Sequence, residues 1–123
     1  MPSYKVLIAE DNQILAESIA KILNDLNIDN SIVMQGDQIL KEYNSDYYDM
    51  VLLDIMMPKM DGYMASRAIR DQNSLIPIVA FTCLPFDEVE NEMAKNGINH
   101  YISKPNELND LKALLHSYFD VAA

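Results

Sequence analysis

The chain has 123 residues, 50% of them hydrophobic, which suits a single domain with its own core. Its formal net charge of −10 argues against binding to nucleic acid or to an anionic membrane surface, because both are bound through Lys and Arg. No signal peptide opens the chain and no apolar run approaches the ~20 residues of a membrane span, so we expect one cytoplasmic domain over residues 1–123, without membrane contact.

Five short apolar runs are predicted to form β-strands. The first, third and fourth are continuous rather than alternating, which is typical of strands buried on both faces of a parallel sheet. The second and fifth show weaker patterns. In chain order the runs are Lys5–Ala9, Ser31–Met34, Met50–Leu53, Ile76–Phe81 and Tyr101–Ser103.

Amphipathic stretches between these runs predict five helices, because apolar residues recur there at helical spacing. Asp61 is placed to cap the third helix, Gly97 to end the fourth, and Pro105 to lie in the first turn of the fifth. The apolar positions are Leu15, Ile19, Ile22, Leu23 and Leu26; Ile39, Leu40 and Tyr43; Met64, Ala65, Ala68 and Ile69; Val89 and Met93; and Leu108, Leu111, Leu115 and Tyr118. This (βα)5 order predicts an α/β, doubly wound parallel sheet, for which periodicity alone leaves several strand orders open.

Polar residues end four of the five predicted strands. They are Glu10 and Asp11, Asp54, Thr82 and Lys104. Taken singly, each has a structural explanation: Asp11 as a helix cap, Thr82 as an ordinary strand residue, Lys104 as a solvated charge. Ligands of open α/β sheets bind at the carboxyl ends of the strands, so the joint placement favours a functional site.

The residue types at this edge favour metal-dependent phosphoryl chemistry. Three carboxylates brought together need a proton or a cation, and oxygen ligands without His or Cys suit Mg²⁺, or alternatively Mn²⁺. One carboxylate can attack phosphorus, while a metal ion and the Lys104 ammonium neutralise charge on the phosphoryl oxygens. Thr82 can donate a hydrogen bond to the same oxygens.

The chain resembles the receiver (response-regulator) domain of two-component systems over nearly its whole length. The matching segments are Ala9–Asn12, Leu53–Gly62, Thr82, Gly97, Tyr101 and Lys104–Pro105. The resemblance implies a flavodoxin-like five-stranded sheet of order 2-1-3-4-5. It also implies a role for each matching residue: Asp54 as phosphoacceptor; Glu10, Asp11, Asp54 and the backbone carbonyl of Met56 as Mg²⁺ ligands; Thr82, Tyr101 and Lys104 as switch and phosphoryl-binding residues; and Pro105 as a candidate for a cis peptide bond.

The resemblance further implies the partners. A histidine kinase or a histidine phosphotransfer domain would supply the phosphoryl group, and the surface of helix four, strand five and helix five would change in response. That surface would meet a downstream protein or a second copy of the chain. The domain would catalyse its own phosphorylation and dephosphorylation without being a turnover enzyme. The segment Met60–Arg70 is similar to receivers of hybrid histidine kinases, and both a stand-alone regulator and a piece of a larger protein remain open.

Three alternative functions stay open, and the chain departs from the usual receiver pattern at two places. A haloacid dehalogenase-type phosphatase would carry a second Asp at position 56, which is Met, and a flavodoxin-like FMN module would need a less acidic first loop than Glu10–Asn12. A pseudo-receiver would bind partners without phosphorylation. Cys83, in an apolar run, is predicted to be a buried reduced thiol. Met56 and Leu84 are apolar beside the acceptor, which predicts slow autodephosphorylation.

Overall fold

A computed structural model describes residues 3–56, 61–73, 75–104 and 107–120 of the chain. Five parallel strands form one sheet of order β2-β1-β3-β4-β5, which confirms the order implied by the resemblance. The strands are β1 (Lys5–Ala9), β2 (Asp29–Val33), β3 (Met50–Asp54), β4 (Ile78–Thr82) and β5 (His100–Ser103). The helices are α1 (Gln13–Asp25), α2 (Ile39–Ser45), preceded by a 3-10 turn at Gly36–Gln38, α3 (Gly62–Gln72), α4 (Phe86–Lys95) and α5 (Glu107–Tyr118).

The sheet separates two apolar layers, because successive residues of a strand point to opposite faces. In β1, Leu7 belongs to the layer under α2, α3 and α4, whereas Val6 and Ile8 belong to the layer under α1 and α5. Each residue of β3 and β4 is buried. The continuous apolar runs predicted for these strands are thereby explained.

Two strands begin two residues away from the predicted position. β2 begins at Asp29, two residues earlier than expected, because its backbone pairs with β1 from Lys5↔Asp29 onwards although its first three side chains are polar. β4 begins at Ile78 rather than Ile76. Pro77 has no N–H to donate to the ladder, and the register with β3 starts at Val51↔Ile78.

The helices follow the sequence with two exceptions, one at a helix end and one in a buried stripe. Oδ1 of Asp61 accepts a hydrogen bond from the Met64 N–H (2.9 Å), and Gly97 ends α4 with φ +74°, as predicted. Asn12, not Asp11, caps α1, so the capping explanation for Asp11 is wrong. Met64 is 57% exposed, because Ala65, Ser66 and Ile69 form the buried stripe of α3.

No helix in the described ranges has both the length and the apolarity that crossing a bilayer requires.

Candidate functional site

Three carboxylates converge where β1 and β3 end side by side. Glu10 follows β1 and Asp54 ends β3; their relative exposures are 2% and 5%. Asp11 is exposed at the mouth of the same site. One carboxylate oxygen from each of the three lies within 4.8 Å of the others, so the strand ends bring together the acidic residues singled out from the sequence.

Lys104 enters this cluster from the end of β5. Its backbone N–H donates to the carbonyl oxygen of Thr82 at 3.1 Å, which continues the pairing of β4 with β5 and fixes where the side chain starts. Its Nζ lies 2.7 Å from Oε1 of Glu10 and 3.5 Å from Oδ2 of Asp54. The contact with Glu10 is close but not aligned as a hydrogen bond, since Oε1 has no hydrogen-bond partner among the described residues.

The electrostatics of the cluster follow from burial. Burial, with the neighbouring Asp54, raises the pKa of the Glu10 carboxyl to about 8, although Lys104 opposes the shift. Burial alone would lower the pKa of Lys104, but its contacts with Glu10 and Asp54 outweigh that effect and raise it. Near neutral pH, Glu10 therefore holds a proton that a bound cation would displace.

The backbone after β3 orients Asp54. The Met56 N–H donates to Oδ1 of Asp54 at 3.0 Å, while Oδ2 faces Lys104. This bond places the backbone of Met56, whose carbonyl the resemblance assigns to the metal, beside the site; its side chain is 65% exposed. Residues 57–60 of the matching motif, and Pro105, lie outside the described residues.

Gly62 permits a close approach of α3 to the backbone at the end of β3. Its N–H donates to the Ile55 carbonyl oxygen at 2.8 Å, and a Cβ at position 62 would lie 2.7 Å from Cα of Ile55 and 2.9 Å from the Asp54 carbonyl oxygen. No side chain fits there. In the sequence, Gly62 stands out only as part of the matching segment Leu53–Gly62, although a glycine directly after a helix cap indicates such a contact.

Thr82 and Tyr101 are joined through the peptide groups of one residue. Oγ1 of the buried Thr82 accepts from the Leu84 N–H at 3.1 Å, and the Tyr101 hydroxyl donates to the Leu84 carbonyl oxygen at 2.6 Å. The Tyr101 ring also packs against Phe86, with centroids 5.3 Å apart. The resemblance predicts both switch residues but not this connection, because it is made by backbone atoms that no side-chain pattern reveals.

Cys83 corrects a prediction. Its thiol was expected to be buried, but Cys83 is exposed. The apolar run that suggested burial ends at Thr82, the last residue of β4, and Cys83 is the first residue of the following loop.

The donor set fits a hard divalent cation. All candidate side-chain ligands are carboxylate oxygens, and one of them belongs to Glu10, whose pKa is raised by burial and by the neighbouring Asp54. Mg²⁺ favours such sites, keeping several waters and taking one or two carboxylates together with phosphate oxygens.

Comparisons with known proteins agree with the fold and the site. Residues 6–116 match the family described as response regulator receiver domain. The chain is 34% identical to the osmosensing histidine protein kinase SLN1 of Saccharomyces cerevisiae over 94% of its length, and 32% identical to the hybrid signal transduction histidine kinase L of Dictyostelium discoideum over 93%. It spans only 10% and 7% of those two proteins.

Solved structures show the same relationship. The receiver domain of the sensor histidine kinase PA1611 from Pseudomonas aeruginosa, solved with a magnesium ion coordinated in its active-site cleft, has a TM-score of 0.84 and 28% identity, covering 95% of this chain and 98% of that one. The receiver domain of the Francisella response regulator 1452 has a TM-score of 0.85 and 29% identity, covering 94% and 95%. Neither the phosphatase nor the flavodoxin alternative is favoured. The chain belongs to the family of response regulator receiver domains, and the kinases it resembles carry such receivers.

Proposed function

We propose that Asp54 accepts a phosphoryl group from a phosphohistidine in a Mg²⁺-dependent reaction. The observation that supports this is the convergence of Glu10, Asp11, Asp54 and Lys104 at one edge of the sheet, with the Lys104 ammonium 2.7 Å from Glu10 and 3.5 Å from Asp54. The donor would be a histidine kinase or a histidine phosphotransfer domain, as befits a relative of hybrid kinases.

In this reaction an oxygen of Asp54 forms a bond to phosphorus while the bond from phosphorus to the histidine nitrogen breaks, and the electron pair remains on the imidazole. Mg²⁺, held by Glu10, Asp11, Asp54 and the Met56 carbonyl, would neutralise charge on the phosphoryl oxygens; Mn²⁺ has the same preference for oxygen ligands. Lys104 would pair with those oxygens from the opposite side. Attack of water on the acyl phosphate would restore Asp54, so the domain resets itself without turning over a substrate.

The response would travel through Thr82. A phosphorylated Asp54 carries about −1.5 to −2 charges at pH 7 and offers new acceptors for the Thr82 hydroxyl. Because Thr82 and Tyr101 both bond Leu84, movement of the hydroxyl would disturb the loop before α4 and the position of the Tyr101 ring. The surface of α4, β5 and α5 would then change for a downstream protein or a second copy.

The domain context is also a proposal. We propose that residues 1–123 form one receiver domain, acting in the cytoplasm, where kinases obtain ATP. Because the chain corresponds to a small part of its curated relatives, it could serve as a stand-alone regulator or within a larger kinase.

The test is the intact mass of the protein after incubation with acetyl phosphate, with and without Mg²⁺. We expect a gain of one phosphoryl group that requires Mg²⁺, and its loss in Asp54→Asn with the circular dichroism spectrum unchanged. Asp25→Asn, which alters a surface ion pair of α1, serves as the control and should be phosphorylated normally. Phosphorylation that persists in Asp54→Asn would contradict the acceptor assignment.

A further inference from the structure

The C-terminal end of α4 is bonded to α3 by two side chains. Oγ of Ser66, a fully buried residue, donates to the carbonyl oxygen of Asn96 at 2.7 Å. One turn further along α3, Nη2 and Nε of Arg70 donate to the carbonyl oxygen of Gly97 at 2.7 and 3.2 Å. Hydrogen bonds from a guanidinium are charge-assisted and stronger than bonds between neutral groups.

Arg70 is itself held in place on the other side. Its Nη1 donates to the Asn73 carbonyl oxygen at 3.1 Å, and its Nη2 donates to Oδ1 of Asn99 at 2.9 Å. The same Asn99 oxygen accepts the N–H of Ile78 at 2.8 Å, which connects Arg70 to the start of β4. The guanidinium therefore has partners in two loops, the one after α3 and the one after α4, and little freedom to move.

Packing reinforces these bonds at Gly97. With φ +74°, Gly97 adopts a conformation that other residues rarely adopt, and a Cβ there would lie 2.9 Å from Nε of Arg70. The backbone turn that ends α4 thus lies directly against the Arg70 side chain.

The N-terminal end of α4 is held differently. Pro85 precedes the helix without a capping side-chain hydrogen bond, and Phe86, its first residue, is 47% exposed. The loop before it is bonded through Leu84 to Thr82 and Tyr101, the two residues that respond to the phosphoryl group in the proposed function. Both bonds are between neutral groups.

We propose that Ser66 and Arg70 are positioning residues that fix the C-terminal end of α4, so that phosphorylation pivots the helix at Asn96–Gly97 and displaces chiefly its N-terminal end. This inference rests on the proposed function, because the phosphoryl group is what draws Thr82 away from Leu84. Buried Val89 and Met93 keep the helix on the sheet while it turns. The surface offered to a partner would then change mainly around Phe86 and Tyr101.

The test compares backbone amide chemical shifts of the whole chain with and without Mg²⁺ and beryllofluoride, which mimics the phosphoryl group. In the wild-type protein we expect changes several-fold larger over Leu84–Val89 than over Glu92–Gly97. In Arg70→Gln the two sets of changes should become similar in size, whereas Arg67→Gln, an exposed arginine of the same helix, should keep the wild-type ratio. Ser66→Ala removes only one hydroxyl and so should loosen the C-terminal end of α4 in the same way but less strongly.

Binding of beryllofluoride, followed at the amide of Asp54, separates the two proposals. If the wild-type protein does not bind it, the proposed function fails. If binding is normal but the wild-type changes are equal along α4, the pivot is overturned. The pivot is also overturned if Arg70→Gln and Ser66→Ala bind beryllofluoride normally and keep the wild-type ratio of chemical-shift changes between the two ends of α4.

Discussion

Nζ of Lys104 lies nearer to Oε1 of Glu10, at 2.7 Å, than to Oδ2 of Asp54, at 3.5 Å. The ammonium that would pair with a phosphoryl group is thus held, before phosphorylation, by a residue that follows β1. A cation and a phosphoryl group arriving at the site would change the charges of both carboxylates that face Lys104. The titration of Glu10 is therefore the first property by which the site can be tested.

Mg²⁺ binding should strengthen as the pH rises towards 8. Because burial raises the pKa of Glu10 to about 8, the metal-free protein holds a proton there at neutral pH, and the metal must displace it. Calorimetric titration with Mg²⁺ in two buffers of different ionisation enthalpy measures this proton directly. We expect net proton release at pH 7 that declines above pH 8.

Glu10→Gln is the matched control for this titration, since it keeps the shape of the side chain but cannot ionise. It should bind Mg²⁺ more weakly and without the proton release assigned to position 10. Equal proton release by the two proteins would show that another group titrates on metal binding.

The stability of the metal-free protein should show the opposite dependence on pH. A carboxyl whose pKa is raised from 4.5 in the unfolded chain to about 8 in the fold stabilises the protein fully below pH 4.5, and this contribution is lost as the pH rises through 8. Urea unfolding in EDTA at pH 6 and pH 9 measures the change. The free energy of unfolding should fall more steeply in the wild-type protein than in Glu10→Gln, and parallel profiles would contradict a buried, protonated Glu10.

The alternation of strands and helices, the helix stripes and the strand-end polar residues could be predicted because each leaves a local pattern in the sequence. The order of the strands within the sheet leaves no such pattern, and its prediction came from the family resemblance alone. The continuous runs of β1, β3 and β4 marked buried strands, and Asp61 and Gly97 marked helix ends. Contacts between backbone and distant side chains could not be predicted, because they depend on how elements pack. One such contact is the hydrogen bond from the Arg70 guanidinium to the carbonyl oxygen of Gly97, 27 residues away. Another is the bonding of the Leu84 backbone to the side chains of Thr82 and Tyr101. The exposure of Cys83 was misjudged because an apolar run does not show where its strand ends.

Thr82→Ala should leave Asp54 able to accept a phosphoryl group but weaken the response of the surface. The variant removes the acceptor of the Leu84 N–H and the hydroxyl that would move to the phosphoryl oxygens. Amide chemical shifts of Tyr101 and the N-terminal end of α4, measured with beryllofluoride, should change much less than in the wild-type protein. Thr82→Ser retains the hydroxyl and should retain most of the response; an unaltered response in Thr82→Ala would contradict the coupling through Leu84.

Gly62→Ala should destabilise the protein and weaken Mg²⁺ binding together. The added methyl would meet backbone atoms of Ile55 and Asp54 at 2.7 and 2.9 Å, so α3 or the end of β3 must shift. Forcing extra volume into a packed region costs about 1–3 kcal/mol, which urea unfolding can measure.

Gly97→Ala is the control that separates the loss of stability from the weaker Mg²⁺ binding expected of Gly62→Ala. It is also strained, by its φ of +74° and by contact with Arg70, but it lies at the opposite edge of the sheet from the site, beside the start of β5. We expect it to lose stability while keeping its affinity for Mg²⁺ when folded. If both variants bind Mg²⁺ normally, Gly62 has no role in orienting Asp54.

The phosphoryl group on Asp54 should be long-lived. Hydrolysis requires a water molecule oriented for attack on phosphorus, and Met56 and Leu84, at the positions that the resemblance to receiver domains places beside the acceptor, have apolar side chains that cannot orient one. Met56 is 65% exposed, so position 56 can be changed at little cost to packing. Met56→Asn, which supplies an amide at that position, should shorten the lifetime, whereas Met56→Leu should not. Intact mass, followed over time after removal of the phosphodonor, measures the phosphoryl lifetime in the wild-type protein and in both variants. Loss of the phosphoryl group from the wild-type protein within minutes would refute the prediction.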